Sequence, residues 1–245
     1  MRNKGSRINP IRSLQRRIIR LITLFSFFKS QKGQDRWVIL EALPFKRGGF
    51  FVDLAASNGI QSSNTYVLEK YFGWNGICIE PNPHFFAQLQ KKRKCHLSDA
   101  VISDVEEEVQ FRIDNGPLGG IVAEDTDNNP RVRGAQFDRA VILNRRTTPF
   151  ATLLENYHAP AIIDYLSLDV EGSEERILRS FDFQKYTFLC MTIERPTPLV
   201  NEILRKHHYQ FVKNHLFDTF YVHESVQTKR NLRCQPFEQI PPKDW

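Results

Sequence analysis

From Gly48 onward, short apolar runs alternate with stretches of helical spacing. Phe50-Phe51-Val52-Asp53-Leu54 predicts a buried strand, and residues 63–72 predict a helix entered through Ser-Ser-Asn. Gly76-Ile77-Cys78-Ile79-Glu80 predicts a second strand, and residues 83–92 a second helix. Further strands are expected at 100–103, 109–113 and 140–143. The run from Ile162 to Asp169 is the clearest strand, followed by a helix over 174–180. A strand over 187–194, a helix near 199–207 and a hairpin of Phe211-Val212 with Phe220–Val222 complete the set. Such alternation predicts an α/β fold, a mostly parallel sheet covered by helices on both faces. Residues 114–136, rich in Gly, Asn, Asp and Pro, read as a long excursion expected to act as a lid or substrate rim.

The first residues follow another pattern. Asn9-Pro10 suits a helix start, with Asn as cap and Pro in the first turn. Ile11, Leu14, Ile18, Leu21 or Ile22, Phe25 and Phe28 then recur at helical spacing, and Arg12, Arg16 and Arg20 form a row on another face. That combination suits peripheral contact with a membrane surface through residues 10–28. A helix packed on the domain, or a leader without fixed structure, is the plainer reading, and contact with a partner is a further one. The apolar run 18–28 is interrupted by Arg20, Thr23 and Ser26 and is far shorter than the roughly 20 residues that span a bilayer. No small-residue cleavage site follows it, which disfavours a signal peptide. The chain thus divides into a basic amphipathic segment (1–29), a domain (30–226) and an irregular tail (227–245).

Charge sharpens this division. The 245 residues carry 34 Lys and Arg against 28 Asp and Glu, a net charge of +6. Residues 1–36 hold ten of the basic groups and only one acid, Asp35, so the remainder is slightly acidic at −3. With the basic character confined to one end, a nucleic-acid-binding body is disfavoured. The four cysteines lie far apart with no CxxC pair, which argues against a zinc module and for reduced thiols in the cytoplasm.

In open α/β sheets, ligands sit beyond the carboxyl ends of the strands. Three strand ends carry unusual polar residues. Asp53-Leu54-Ala55-Ala56-Ser57-Asn58-Gly59 ends a strand on an acid and turns on small residues, where a ligand can approach the backbone and Gly59 can adopt a positive φ. The dinucleotide fingerprint G-x-G-x-x-G is missing, so a dehydrogenase loses support, and an ordinary strand-to-helix turn fits as well. Glu80 ends the next strand 21 residues after Gly59, against about 20 expected between a nucleotide-binding turn and a ribose-binding acid. Asp169-Val170-Glu171-Gly172 places two carboxylates beside a buried strand, which is costly unless a cation, donor or substrate uses them. Capping of the helix that begins near Ser173 also accounts for an acid there.

Gly49-Phe50-Phe51-Val52-Asp53, Ser63-Asn64-Thr65, Leu68-Glu69-Lys70, Gly73-Trp74-Asn75-Gly76 and Ile79-Glu80-Pro81-Asn82-Pro83 resemble the FkbM family of S-adenosylmethionine-dependent methyltransferases. The run from Asp164 to Glu174 matches the family's other hallmark, and Ser30-Gln31-Lys32-Gly33-Gln34-Asp35 resembles the segment that often precedes its domain. The likeness extends over about residues 30–225. It implies a class I methyltransferase fold, with seven strands and the last inserted antiparallel, and S-adenosyl-L-methionine as cofactor. In that arrangement Asp53, Ala55, Ser57, Asn58 and Gly59 lie along the amino-acid end and ribose of the cofactor. Glu80, with Pro81 and Asn82, holds the ribose hydroxyls, and Asp99-Ala100 borders the adenine. Asp169 faces the methionine end and the reacting methyl, and Asn64 serves the site by bracing the first loop. Ala55 stands where the family usually carries Gly.

If the acceptor is a hydroxyl, a base must take its proton as the bond forms. Asp169 or Glu171 is placed to do so, directly or through a divalent cation. His84, His215 and Glu194 are further candidates. The resemblance implies O-methylation of a small molecule, sugar, glycan or glycolipid. The competing expectation, favoured by Ala55, is a non-catalytic cofactor-binding or structural relative tethered by its basic tail.

Overall fold

A computed structural model describes residues 27–230 and 232–241 of the chain. The strands in chain order are β1 (Phe50–Leu54), β2 (Asn75–Ile79), β3 (His96–Ser98), β4 (Val101–Ser103), β5 (Glu108–Arg112), β6 (Gly120–Ile121) and β7 (Ile142–Pro149). They are followed by β8 (Ile162–Leu168), β9 (Thr187–Glu194), β10 (Tyr209–His215) and β11 (Asp218–His223). The helices are α1 (Gln34–Trp37), α2 (Tyr66–Phe72), α3 (Pro83–Lys92), α4 (Pro130–Arg133), α5 (Phe150–Asn156), α6 (Glu174–Arg179), α7 (Pro198–Lys206) and α8 (Glu224–Arg230).

Local chemistry explains their boundaries. Asn82 caps α3 by accepting the His84 N–H at 3.0 Å, and Thr197 caps α7 by accepting that of Val200 at 3.2 Å. Each cap is followed by Pro, whose missing N–H costs nothing in a first turn. Gly73, with φ +67, closes α2 in the left-handed conformation that suits glycine.

Seven strands pair in the order β10-β11-β9-β8-β1-β2-β3. All neighbours are parallel except that β11 runs antiparallel to both β9 and β10. This is the class I methyltransferase fold that the resemblance implies. Buried on both faces from Ile163 onward, β8 is mostly apolar, as a central parallel strand tends to be. Along β1 and β2 the residues alternate between two cores: Val52, Leu54, Ile77 and Ile79 join one, Phe51 and Cys78 the other. Helices α5, α6 and α7 seal the first core, and α1, α2, α3 and α8 seal the second.

The segments expected as strands at 100–103, 109–113 and 140–143 do pair, but in a second sheet of order β4-β7-β5-β6. Its small core is Val101, Phe111 and Ile121. Charged residues on β5 and β7 suit an antiparallel pair with one wet face better than a buried parallel position. The excursion over 114–136 is more ordered than expected, holding β6, α4 and a tight turn at Gly116–Leu118. β3 and α5 were not anticipated, although Phe150, Leu153 and Leu154 carry the helical spacing of α5. The irregular tail expected from 227 begins later, because α8 continues to Arg230.

The N-terminal stripe expected as a helix falls mostly outside the described residues. Its last member, Phe28, and the neighbouring Phe27 pack against the second core, with Phe27 4.8 Å from the Tyr71 ring. Among the described residues no helix is long and apolar enough to cross a membrane.

Candidate functional site

The chain reverses direction across the sheet between β1 and β8, and two adjoining cavities open at the carboxyl ends of these strands. The larger, of about 350 Å3, is lined by Asp53, Ser57, Asn58, Asn64, Asp169, Glu171, Glu194 and Asp218, with Phe85 and Phe217 among its apolar walls. The smaller is an apolar slot walled by Ile79, Ala100, Val101, Ile102 and Phe111, with Glu80, Pro81, Asn82 and Ser173 at its edges. Leu54, Ala55 and Pro117 line both.

The loop leaving β1 owes its shape to a buried guanidinium. Arg93 donates to the Gly59 carbonyl and Ser63 Oγ at 3.2 Å each and to Thr65 Oγ1 at 3.0 Å, and it pairs with Glu69. Thr65 Oγ1 in turn donates to Asp53 Oδ2 at 2.6 Å. Gly59 stands behind the cavity rather than on its wall. Its φ is +81, and a Cβ there would meet Leu89 Cδ1 at 2.6 Å. Ala55 and Ser57 also have positive φ, +67 and +48, where an L residue is strained. Asn58 Oδ1 folds back onto the N–H groups of Ile60 and Gln61.

Glu80 bridges two turns. Its Oε2 accepts the Ser57 N–H at 2.7 Å and its Oε1 the Asn82 N–H at 2.8 Å. Burial outweighs these donors and lifts its carboxyl to about 7. Asn64 donates to Ser167 Oγ on β8 at 2.9 Å, while its Oδ1 is buried without a partner. Burial also raises the Asp53 carboxyl above its ordinary value, although Thr65 opposes the shift.

Carboxylates dominate the opposite wall. Burial first, then Glu194, then Glu171 raise Asp169 well above the carboxylate range, and Asp169 hydrogen-bonds Glu194. Glu171, at φ +55, accepts Arg133 Nη2 at 3.1 Å. Glu174 accepts the Val170 N–H at 2.8 Å and is lifted to about 8, chiefly by burial. Glu194 pairs with Arg195 at 3.4 Å, and Asp218 accepts Gln34 Nε2 at 2.8 Å. Oxygens of Asp169, Glu174 and Glu194, or of Asp127, Glu171 and Glu194, lie within 4.8 Å of one another, near enough to hold one metal ion. Chemically, the arrangement can accept hydroxyl protons on the larger cavity's wall and receive a flat apolar ring in the slot.

Of the residues anticipated from the sequence, Asp53, Ala55, Ser57, Asn58, Asn64, Asp169 and Glu171 line the larger cavity. Ala55 also lines the slot, together with Glu80, Pro81, Asn82 and Ala100. Asp99 is not on the slot's wall; it is exposed and pairs with Arg145 at 3.3 Å. His84 and His215 are exposed and line neither cavity. Sequence reasoning missed Asp218, Gln34, Ser173 and Phe217. Two had a signal: Gln34 is part of the segment that precedes the family's domain, and Ser173 lies within the hallmark run from Asp164 to Glu174.

No curated protein matches the chain. Among solved structures it is similar to a methyltransferase FkbM from Methylobacillus flagellatus KT, at 18% identity and a TM-score of 0.45. That match covers 74% of this chain and 45% of that protein, so the chain spans less than half of its length. A TehB-like SAM-dependent methyltransferase from Corynebacterium glutamicum matches at 11% identity and a TM-score of 0.40, over 88% of this chain and 99% of that one. A precorrin-6y C5,15-methyltransferase from Geobacter metallireducens matches at 10% identity and 0.39, over 81% and 90%. The Methyltransferase FkbM domain matches residues 53–218, from the acid on β1 to the acid that opens β11, and the chain belongs to that family.

Proposed function

We propose that the protein is an S-adenosylmethionine-dependent O-methyltransferase acting on a hydroxyl of a sugar, glycan or glycolipid. The observation that carries this reading is the junction of an apolar slot, edged by Glu80, with a polar cavity holding Asp53, Asn64 and Asp169. The residues present fit the cofactor. A slot of Ile79, Ala100, Val101 and Phe111 suits a purine ring, Glu80 retains acceptor capacity for ribose hydroxyls, and the orphan Asn64 Oδ1 can accept from the ammonium end. When bound, the sulfonium supplies an electrophilic methyl group.

The chain's own contribution is alignment and proton removal. The larger cavity's volume of about 350 Å3 falls in the usual range for small-molecule sites, about 300–1,000 Å3. Phe85 and Phe217 offer apolar faces, and the carboxylates offer acceptors for hydroxyl groups. Asp169 lines the larger cavity and is the candidate to take the acceptor's proton. A divalent cation on Asp169, Glu174 and Glu194 is a second way to acidify that hydroxyl, and loss of turnover on chelation would select it. The four free cysteines suit a cytoplasmic location. A glycolipid acceptor would place the basic segment against a membrane surface.

Calorimetry with S-adenosylmethionine and transfer of labelled methyl to sugars and extracted glycolipids test the reading. Binding with transfer supports it, and binding without transfer to any hydroxyl acceptor removes the O-methyl assignment. Absence of binding favours the structural relative, the reading to which the strained Ala55 lends weight.

A further inference from the structure

We propose that the Ser173 hydroxyl reads the polar edge of the purine, a role that rests on the cofactor reading above. Three polar side chains line the slot: Glu80, Asn82 and Ser173. Two are committed. Glu80 holds the Ser57 and Asn82 N–H groups, and Asn82 donates to the Ile113 carbonyl while accepting from His84. Ser173 is 2% exposed, and its Oγ has no partner. A serine immediately before a helix ordinarily turns its hydroxyl onto the helix's own N–H groups, and here that bond is absent.

A buried hydroxyl without a partner is unfavourable, and such groups persist where a ligand completes them. The backbone beneath Ser173 is held firmly enough to aim one. Glu171 and Gly172 both have positive φ, +55 and +98, and the Glu171 carbonyl accepts the Asp127 N–H at 2.9 Å. A Cβ on Gly172 would lie 2.8 Å from that same nitrogen, so the turn admits glycine alone. Adenine offers N1, N3 and N7 as acceptors and its 6-amino group as donor, and a hydroxyl can serve either kind. Asp99, the other side chain expected beside the adenine, is engaged outward with Arg145. Discrimination of the base therefore falls to Ser173.

The experiment titrates wild type and Ser173→Ala with S-adenosylhomocysteine and with four analogues of it, lacking N1, N3, N7 or the 6-amino group. The variant should bind the parent compound about five- to tenfold more weakly, the worth of one hydrogen bond. That difference should vanish for one analogue, because the two deletions then remove the same bond. Without ligand, the variant should unfold at the same temperature as wild type or higher, since no protein group is bonded to the hydroxyl. Equal affinity of the two proteins, or the same loss for all ligands, overturns the proposal and leaves the cofactor reading standing. Failure of wild type to bind S-adenosylhomocysteine overturns both.

Discussion

Glu80 Oε2 accepts the backbone N–H of Ser57 at 2.7 Å, so the acid that ends β2 holds the loop that leaves β1. The same carboxylate is lifted to about 7 from an ordinary 4.5 by burial. This couples stability to pH in a defined direction. Below 4.5 the group is protonated whether the chain is folded or not. Between 4.5 and about 7 only the folded form keeps the proton, so stability falls as pH rises, by about 3 kcal/mol in all. Glu174, lifted to about 8, contributes with the same sign. Urea midpoints measured from pH 4.5 to 8.5 should decline, and Glu80→Gln should flatten the profile while weakening the Ser57 anchor.

Ala55 occupies a glycine conformation, φ +67, at the junction of the two cavities. Ala55→Gly relieves left-handed strain of about 1–2 kcal/mol against an unfolded-state entropy gain of about 0.4–1 kcal/mol. The expected result is a small rise in the denaturation midpoint. Ala55→Val puts a β-branched residue at positive φ and should lose about 1–3 kcal/mol, with cofactor binding abolished in calorimetry.

Arg93 is 5% exposed and joins Glu69, Gly59, Ser63 and Thr65. Removing the guanidinium leaves Glu69 and the loop groups uncompensated. Arg93→Met should therefore lose about 3–5 kcal/mol in chemical denaturation. Cofactor affinity should fall with it, because the Gly59 carbonyl and Thr65 belong to the loop that shapes the cavity.

Asp169 is raised in part by its like-charged neighbours Glu194, Glu171 and Asp218. Asp169→Asn removes that repulsion and the base together. Methyl transfer should drop by about 10²–10⁴-fold while the folded state is as stable as wild type or more so. Undiminished transfer would show that another group takes the proton.

Much of this site can be read before folding, for reasons tied to particular strands. β1, β2 and β8 are buried on both faces, so an acid that ends such an apolar run stands out, and Asp53, Glu80 and Asp169 are visible on that account. Asp218 is not visible, because it begins a strand instead of ending one and sits between Phe217 and Thr219 with no apolar run before it. Ser173 looks like an ordinary helix cap until its missing bond is seen. The second sheet escapes detection because β5 carries weak alternation and pairs with β7, some thirty residues away, while β6 is only two residues long. His84 and His215 attract attention by residue type alone, and nothing in the pattern around them places either beside an acid.

Because β11 enters the sheet in the reverse sense, it delivers its beginning, not its end, to the edge where β1 and β8 finish. The short Leu216-Phe217 connection is thereby carried toward the larger cavity, which Phe217 lines, and Phe217 is not on the wall of the slot. Under the proposed function, lengthening or recomposing that two-residue tip would alter the larger cavity while leaving the slot edged by Glu80 as it is.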